Sequence, residues 1–166
     1  MSIEEWDVPQ ELLNSLAVKN RDQLAVKYST AHFDEILPLY ICMTRDSIRK
    51  YFHGVFDLFP SLQFQNVGLE IGAGVGAFSC IACERFPEIE KIYSVEVAPE
   101  VVRRLQSITI PALNEKADGR VVSVIGTFDD IKLPASSVDF CVEIGALHHS
   151  DNLKKTLAEV ARVLKP

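Results

Sequence analysis

The run Leu69-Glu70-Ile71-Gly72-Ala73-Gly74-Val75-Gly76 joins the end of an apolar strand to a glycine-rich turn. Glycine lets a chain reverse sharply and lets a ligand approach backbone where a Cβ would collide. Upstream, residues 67–71 read as a short buried strand. Downstream, a helix is predicted through about Phe86, with Phe78, Ile81, Ala82 and Phe86 on its inner face and Pro87 closing it. A glycine triplet between strand and helix presents free N–H groups at a helix start, which favour a carboxylate or phosphate. The competing reading is a tight turn without a ligand.

The same grammar continues towards the C-terminus. Residues 92–97, 121–125 and 138–144 read as three further strands, four in all. Residues 99–108 form the second helix, with Pro99 at its start, and residues 114–120 a polar turn. Asp151 or Asn152 caps a last helix whose Leu153, Leu157, Val160 and Leu164 are expected on one face. Strands alternating with helices predict a parallel sheet with right-handed crossovers, a Rossmann-like α/β layer over residues 67–166.

Towards the N-terminus, residues 1–66 read as helical. Pro9 suits a first turn, followed by Leu12, Leu13, Leu16 and Ala17 at helical spacing. Thr44 is the expected N-cap of a helix carrying Ile48, Tyr51, Phe52, Val55, Phe56 and Phe59 on one stripe. Pro38 is expected to break or kink the helix between them. The apolar stripe needs a partner, so residues 1–66 are expected to form a cap or lid over the carboxyl ends of the strands.

Composition narrows the function classes. The 166 residues carry 17 Lys+Arg against 23 Asp+Glu, a formal charge of −6. Residues 1–66 and 67–166 are each net −3, so neither part supplies the cationic surface that nucleic-acid backbones require. No apolar run reaches the ~18 residues of a spanning helix, and the acidic start MSIEEWDVPQ lacks a signal peptide's basic and apolar regions. Four cysteines are too few for a disulfide scaffold, so a cytoplasmic protein with reduced thiols is expected.

Two acids narrow the ligand. Gly72, Gly74 and Ala77 satisfy the dinucleotide pattern G-x-G-x-x-A, and Glu96, 20 residues after Gly76, could accept ribose hydroxyls. A carboxylate there suits any adenosine ribose. Glu70 discriminates: two places before the first glycine, it would repel a pyrophosphate and attract an ammonium group. S-adenosylmethionine offers that ammonium, a carboxylate for the helix start and a ribose for Glu96. A nicotinamide-dependent oxidoreductase is the weaker fit.

The stretches LEIGAGVGAFS, SVEVAPEVV, GTFDDIKLPASSVDFCVEIGALHHS and LAEVARVLKP together resemble the class I S-adenosylmethionine-dependent methyltransferase superfamily. The resemblance covers about the last hundred residues. It implies that Gly72, Ala73, Gly74 and Gly76 approach the methionine part and ribose, and that Glu70 faces the ammonium, directly or through water. It places Glu96, with Val97 beside it, at the ribose, Asp129 at the adenine amino group and Phe128 flanking the adenine. Glu143 would end the fourth strand where donor meets acceptor. The cofactor implied is S-adenosyl-L-methionine, the product S-adenosyl-L-homocysteine, and the acceptor a small molecule.

Other residues carry weaker chemistry. His148-His149 could wall the acceptor pocket, cap the last helix or act as a general base; adjacent histidines on a helix do not converge on one metal, and no metal is expected. Cys80-x-x-Cys83 falls on a helix built to pack, which favours apolar packing over redox chemistry. In the superfamily, the helix ending R-V-L-K-P is followed by further strands. The chain is therefore read as a piece of a longer protein, or as a reduced variant that dimerises or borrows an element. A non-catalytic S-adenosylmethionine-binding module is the alternative to an enzyme.

Overall fold

A computed structural model describes residues 2–113 and 119–166. Five strands run through it: β1 Ser2–Glu5, β2 Asn66–Ile71, β3 Ile89–Glu96, β4 Val121–Ile125 and β5 Phe140–Glu143. They form one sheet in the order β1-β4-β3-β2-β5, with every neighbouring pair parallel. Helices α1 Gln10–Leu13, α2 Leu16–Tyr28, α3 Phe33–Ile41 and α4 Arg45–Leu58 precede β2. Helix α5 Ala77–Arg85 follows it, a π-helical segment Val101–Gln106 runs into α6 Ser107–Leu113, and α7 Leu153–Val163 closes the chain after a 3₁₀ turn at Leu147–His149. The polar turn expected at residues 114–120 lies mostly outside the described residues.

The alternation of side chains across the pleat separates two cores. Ile92, Val121 and Phe140 point to one face, where α4, α5, the π-helical segment and α6 supply Phe52, Phe56, Phe78, Ile81, Leu105 and Ile110. Leu69, Ile71, Val95, Val122 and Val124 point to the other, against Trp6, Ile131, Val138 and Val163. Gly68 sits mid-strand because the Phe140 ring crosses it: a Cβ there would lie 2.1 Å from that ring. Helix α5 is buried from Ala77 through Cys83, a wider face than its sequence stripe implies, because sheet and helices cover it from two sides.

Several elements differ from the sequence reading. The N-terminal segment is not wholly helical: Ser2–Glu5 adds a fifth strand along the free edge of β4. All four of its side chains are exposed, so apolar alternation could not reveal it. The first helix is two, because Ser15 caps a new start by accepting from the Val18 N–H at 3.3 Å. Pro38 lies inside α3, which is held by a capping box between His32 and Glu35 and by fully buried Ile36 and Leu37. The α4 stripe is narrower than expected: Ile48, Phe52 and Phe56 are buried, while Tyr51 and Phe59 are exposed. Thr44 does cap that helix, accepting from the Ser47 N–H at 3.2 Å.

Helix α7 is rotated from its expected stripe. Leu153 and Leu157 are 48% and 50% exposed, and Thr156 and Val163 turn inward instead. Polar bonds set that rotation. Thr156 Oγ1 donates to Asp129, and Arg162 donates to the carbonyls of Leu133 at 2.8 Å and Ile131 at 2.7 Å. Glu159 accepts from the Ile131 N–H at 2.9 Å, and Lys165 pairs with Asp139 at 2.8 Å. The bonds to Asp129, Ile131 and Leu133 hold the loop after β4 as well as the helix.

Candidate functional site

The glycine turn leaves β2 with Gly72, Gly74 and Gly76 at φ +70°, +53° and +75°, a left-handed region open to glycine at little cost. Each has a different neighbour. A Cβ on Gly72 would lie 2.1 Å from the Cβ of Ala146, so this glycine lets the loop after β5 pack closely. A Cβ on Gly76 would press on Ile110 of α6. A Cβ on Gly74 would meet only Arg21 Nη2 at 3.7 Å, so the space above Gly74 is open. The turn is held from behind by α6 and its π-helical lead. Gln106 donates to the Gly74 carbonyl at 2.8 Å and Thr109 to the Val75 carbonyl at 2.6 Å.

Glu70 and Glu96 end neighbouring strands on the α5 side of the sheet, and both are buried. Glu70 accepts from the Ser79 hydroxyl and, at 3.2 Å, from the Ser79 N–H. Burial pushes its pKa up to about 7, against the opposing pull of those two donors. Glu96 is satisfied more fully. Its Oε2 accepts from the Gly74 N–H at 3.0 Å and from Arg21 Nη2 at 2.8 Å, and its Oε1 from the Ala98 N–H at 3.0 Å. Arg21 Nε also donates to the Tyr40 hydroxyl at 3.1 Å. Burial works against the Arg21 charge, but Glu96 and Tyr40 outweigh it and the guanidinium pKa is raised.

Cavities open at the carboxyl ends of the strands, where ligands of open α/β sheets sit. The first, 180 Å³, is bordered by Gly72, Glu96, Val97, Phe128 and Asp129 below and by Leu12 and Val18 above. The second, 370 Å³, is bordered by Glu70, Ala73, Gly74 and Val75 and by apolar residues of α3 and α4. Arg21, Gly72, Ala146 and His149 border both. The structure thus gathers Glu70, Gly72, Ala73, Gly74, Glu96, Val97, Phe128, Asp129 and His149 around one crevice. Asp129 is oriented there by Thr156 and by its own N–H donating to Thr127 Oγ1 at 3.2 Å.

Other expected site residues are placed differently. The Glu143 carboxylate accepts from the N–H groups of Ala146 and Leu147, the latter at 2.8 Å, and so holds the turn after β5. His148 and His149 are exposed, their rings 3.9 Å apart on the 3₁₀ turn, and His148 borders neither cavity. Among the described residues no group of three or more His, Cys, Asp or Glu converges on a metal position. Cys80 and Cys83 are buried in α5, and burial raises both thiols, Cys83 to about 11. Arg21 and Tyr40 had no sequence signal: they lie 75 and 56 residues before Glu96, on two separate helices.

Residues 69–166 match the family model described as a methyltransferase domain. The chain belongs to the methyltransferase-domain family. No curated protein matches it. Among solved structures, the YcgJ protein of Bacillus subtilis is 27% identical with a TM-score of 0.57, over 70% of this chain and 47% of that one. A Galdieria sulphuraria protein described as a sarcosine dimethylglycine methyltransferase is 24% identical with a TM-score of 0.62, over 89% and 56%. The Haemonchus contortus phosphoethanolamine N-methyltransferase 2, solved with phosphomonomethylethanolamine and S-adenosylhomocysteine, is 16% identical with a TM-score of 0.56, over 82% and 34%. The chain spans about half the length of the first two. These likenesses agree with the Rossmann-like α/β fold and the class I methyltransferase resemblance read from the methyltransferase-domain sequence.

Proposed function

We propose that the chain is the donor-binding part of an S-adenosylmethionine-dependent methyltransferase acting on a small-molecule acceptor. The observation that carries this is the open space above Gly74, set between two buried carboxylates at adjoining strand ends. The residues fit the donor. A ligand chain can lie against the bare Gly74 backbone, Glu70 can accept from an ammonium group, and Glu96 from ribose hydroxyls. Phe128 and Asp129 border the cavity on the Glu96 side, where an adenine would follow the ribose.

Bound S-adenosylmethionine would supply a methyl group already activated on sulfonium. The protein's share is then to orient and to exclude water. Helices α1–α3 cover the crevice from above, with Leu12, Val18, Arg21 and Tyr40 bordering its cavities, which supports a cap role for residues 1–66. His149 borders both cavities, which supports the reading of it as a general base for an acceptor that must lose a proton. A pyrophosphate beside Glu70 would face a buried carboxyl, which disfavours a nicotinamide cofactor. Among the described residues no helix is long and apolar enough to cross a membrane. Four cysteines are too few for a disulfide scaffold, which supports a cytoplasmic reading.

Calorimetric titration with S-adenosylmethionine, S-adenosylhomocysteine and NAD tests the reading. The first two should bind and NAD should not. Gly74→Val should abolish binding while costing about 1–3 kcal/mol of stability from the forced left-handed conformation. Binding that survives this substitution, with an unchanged melting temperature, would remove the glycine turn from the site. Binding of the donor without turnover in the full-length protein would favour the non-catalytic module.

A further inference from the structure

Arg21 occupies the carboxylate that the cofactor needs. A carboxylate offers about four lone-pair positions. Three on Glu96 are filled, by the N–H groups of Gly74 and Ala98 and by Arg21 Nη2. Two ribose hydroxyls require two acceptor positions, so the guanidinium must leave before both can bind. The backbone donors cannot leave, since they belong to the glycine turn and to the chain directly after β3. Arg21 also stands between the cavities: it borders the one beside Phe128 and Asp129 and the one beside Glu70 and Gly74. A ligand long enough to reach from Asp129 to Glu70 passes the place where Arg21 now sits.

We propose that Arg21 is a latch on the cofactor site: it closes the crevice by pairing with Glu96, and the cofactor's ribose opens it by taking Arg21's place. The inference rests on the methyl-donor reading given above. The latch can open without displacing its helix. Helix α2 is anchored separately by Asp22, whose Oδ1 accepts from the Glu100 N–H at 2.8 Å. The Arg21 side chain is 31% exposed, while that of Glu96 is 1% exposed, so the cation has an outward path and the carboxylate does not. Tyr40 holds the second side of the guanidinium and sets where the latch rests.

The test separates a latch from a structural ion pair by demanding opposite signs. Arg21→Met removes the resident cation but keeps a long apolar stem. Its melting temperature should fall, because a buried carboxylate loses its partner. Its affinity for S-adenosylhomocysteine, measured by calorimetry on the full chain, should rise by roughly fivefold, the scale of a partly exposed ion pair. Tyr40→Phe should shift affinity the same way by a smaller factor and keeps the test open if Arg21→Met does not fold. Equal or weaker binding by both variants overturns the latch while leaving the cofactor reading intact. Absence of binding by the folded wild-type chain overturns both.

Discussion

Glu70 and Glu96 are both buried carboxylates, yet their neighbours divide their roles. Glu96 has a guanidinium and two backbone donors. Among the described residues Glu70 has the N–H and hydroxyl of Ser79, and burial holds its pKa at about 7. In the unfolded chain Glu70 titrates near 4.5. Between these values the folded state keeps a proton that the unfolded state has lost, so stability falls as pH rises. The contribution is complete below pH 4.5 and is lost as pH rises through about 7. Its full span is about 3 kcal/mol. Glu70→Gln should flatten that part of the stability profile, read by denaturant unfolding at a series of pH values from 4 to about 8. An unchanged slope would mean that Glu70 is not the titrating group. Glu70 and the glycines were legible as candidates because strand-end acids and a glycine turn are local patterns. Ser79, which holds Glu70, was not, because a serine mid-helix has no distinctive signature.

At the level of elements, aromatic contacts hold α4 against α5 and the residues flanking it. The Phe56 ring meets Phe78, Phe86 and Phe64 edge-on, with centroids 6.0, 5.0 and 6.1 Å away. Such pairs add to the area they bury. Phe56→Ala should therefore cost about 3–5 kcal/mol. Unfolding monitored by circular dichroism should show one cooperative transition at lower denaturant. A cost under about 1 kcal/mol would mean that α4 is peripheral to the core. The α4 helix was readable because its apolar spacing is helical. Which of its aromatics would be buried was not, since Tyr51 and Phe59 are as apolar in sequence as Phe52 and Phe56 and differ only in what lies opposite. The same holds for α7, where Thr156 and Arg162 outweigh two leucines in setting the helix rotation.

Across the whole molecule, β1 ties the start of the chain to β4, some 120 residues later. Trp6 follows it, its N–H donating to the Ile125 carbonyl at 2.8 Å and its ring lying over Gly126. A Cβ on Gly126 would approach that ring to 2.8 Å. Trp6 is the only tryptophan, so its fluorescence reports this docking alone. The folded protein should emit in the blue range of a buried indole. Gly126→Val should push the ring out, shift emission to the red and cost about 1–3 kcal/mol. Emission already typical of exposed indole in the wild type would mean that Trp6 does not dock.

The sequence by itself determined the strand-turn-helix order, the parallel α/β class and the acids flanking the glycine turn, because each is written in short-range periodicity and spacing. Tertiary structure decided the rest. The strand at Ser2–Glu5 exists because β4 leaves a backbone edge to pair with, and backbone pairing needs no apolar side chains. Pro38 stays helical because Ile36 and Leu37 are buried beside it. Arg21 reaches Glu96 only because the fold brings α2 over the end of β3, a juxtaposition that no local pattern of residues encodes.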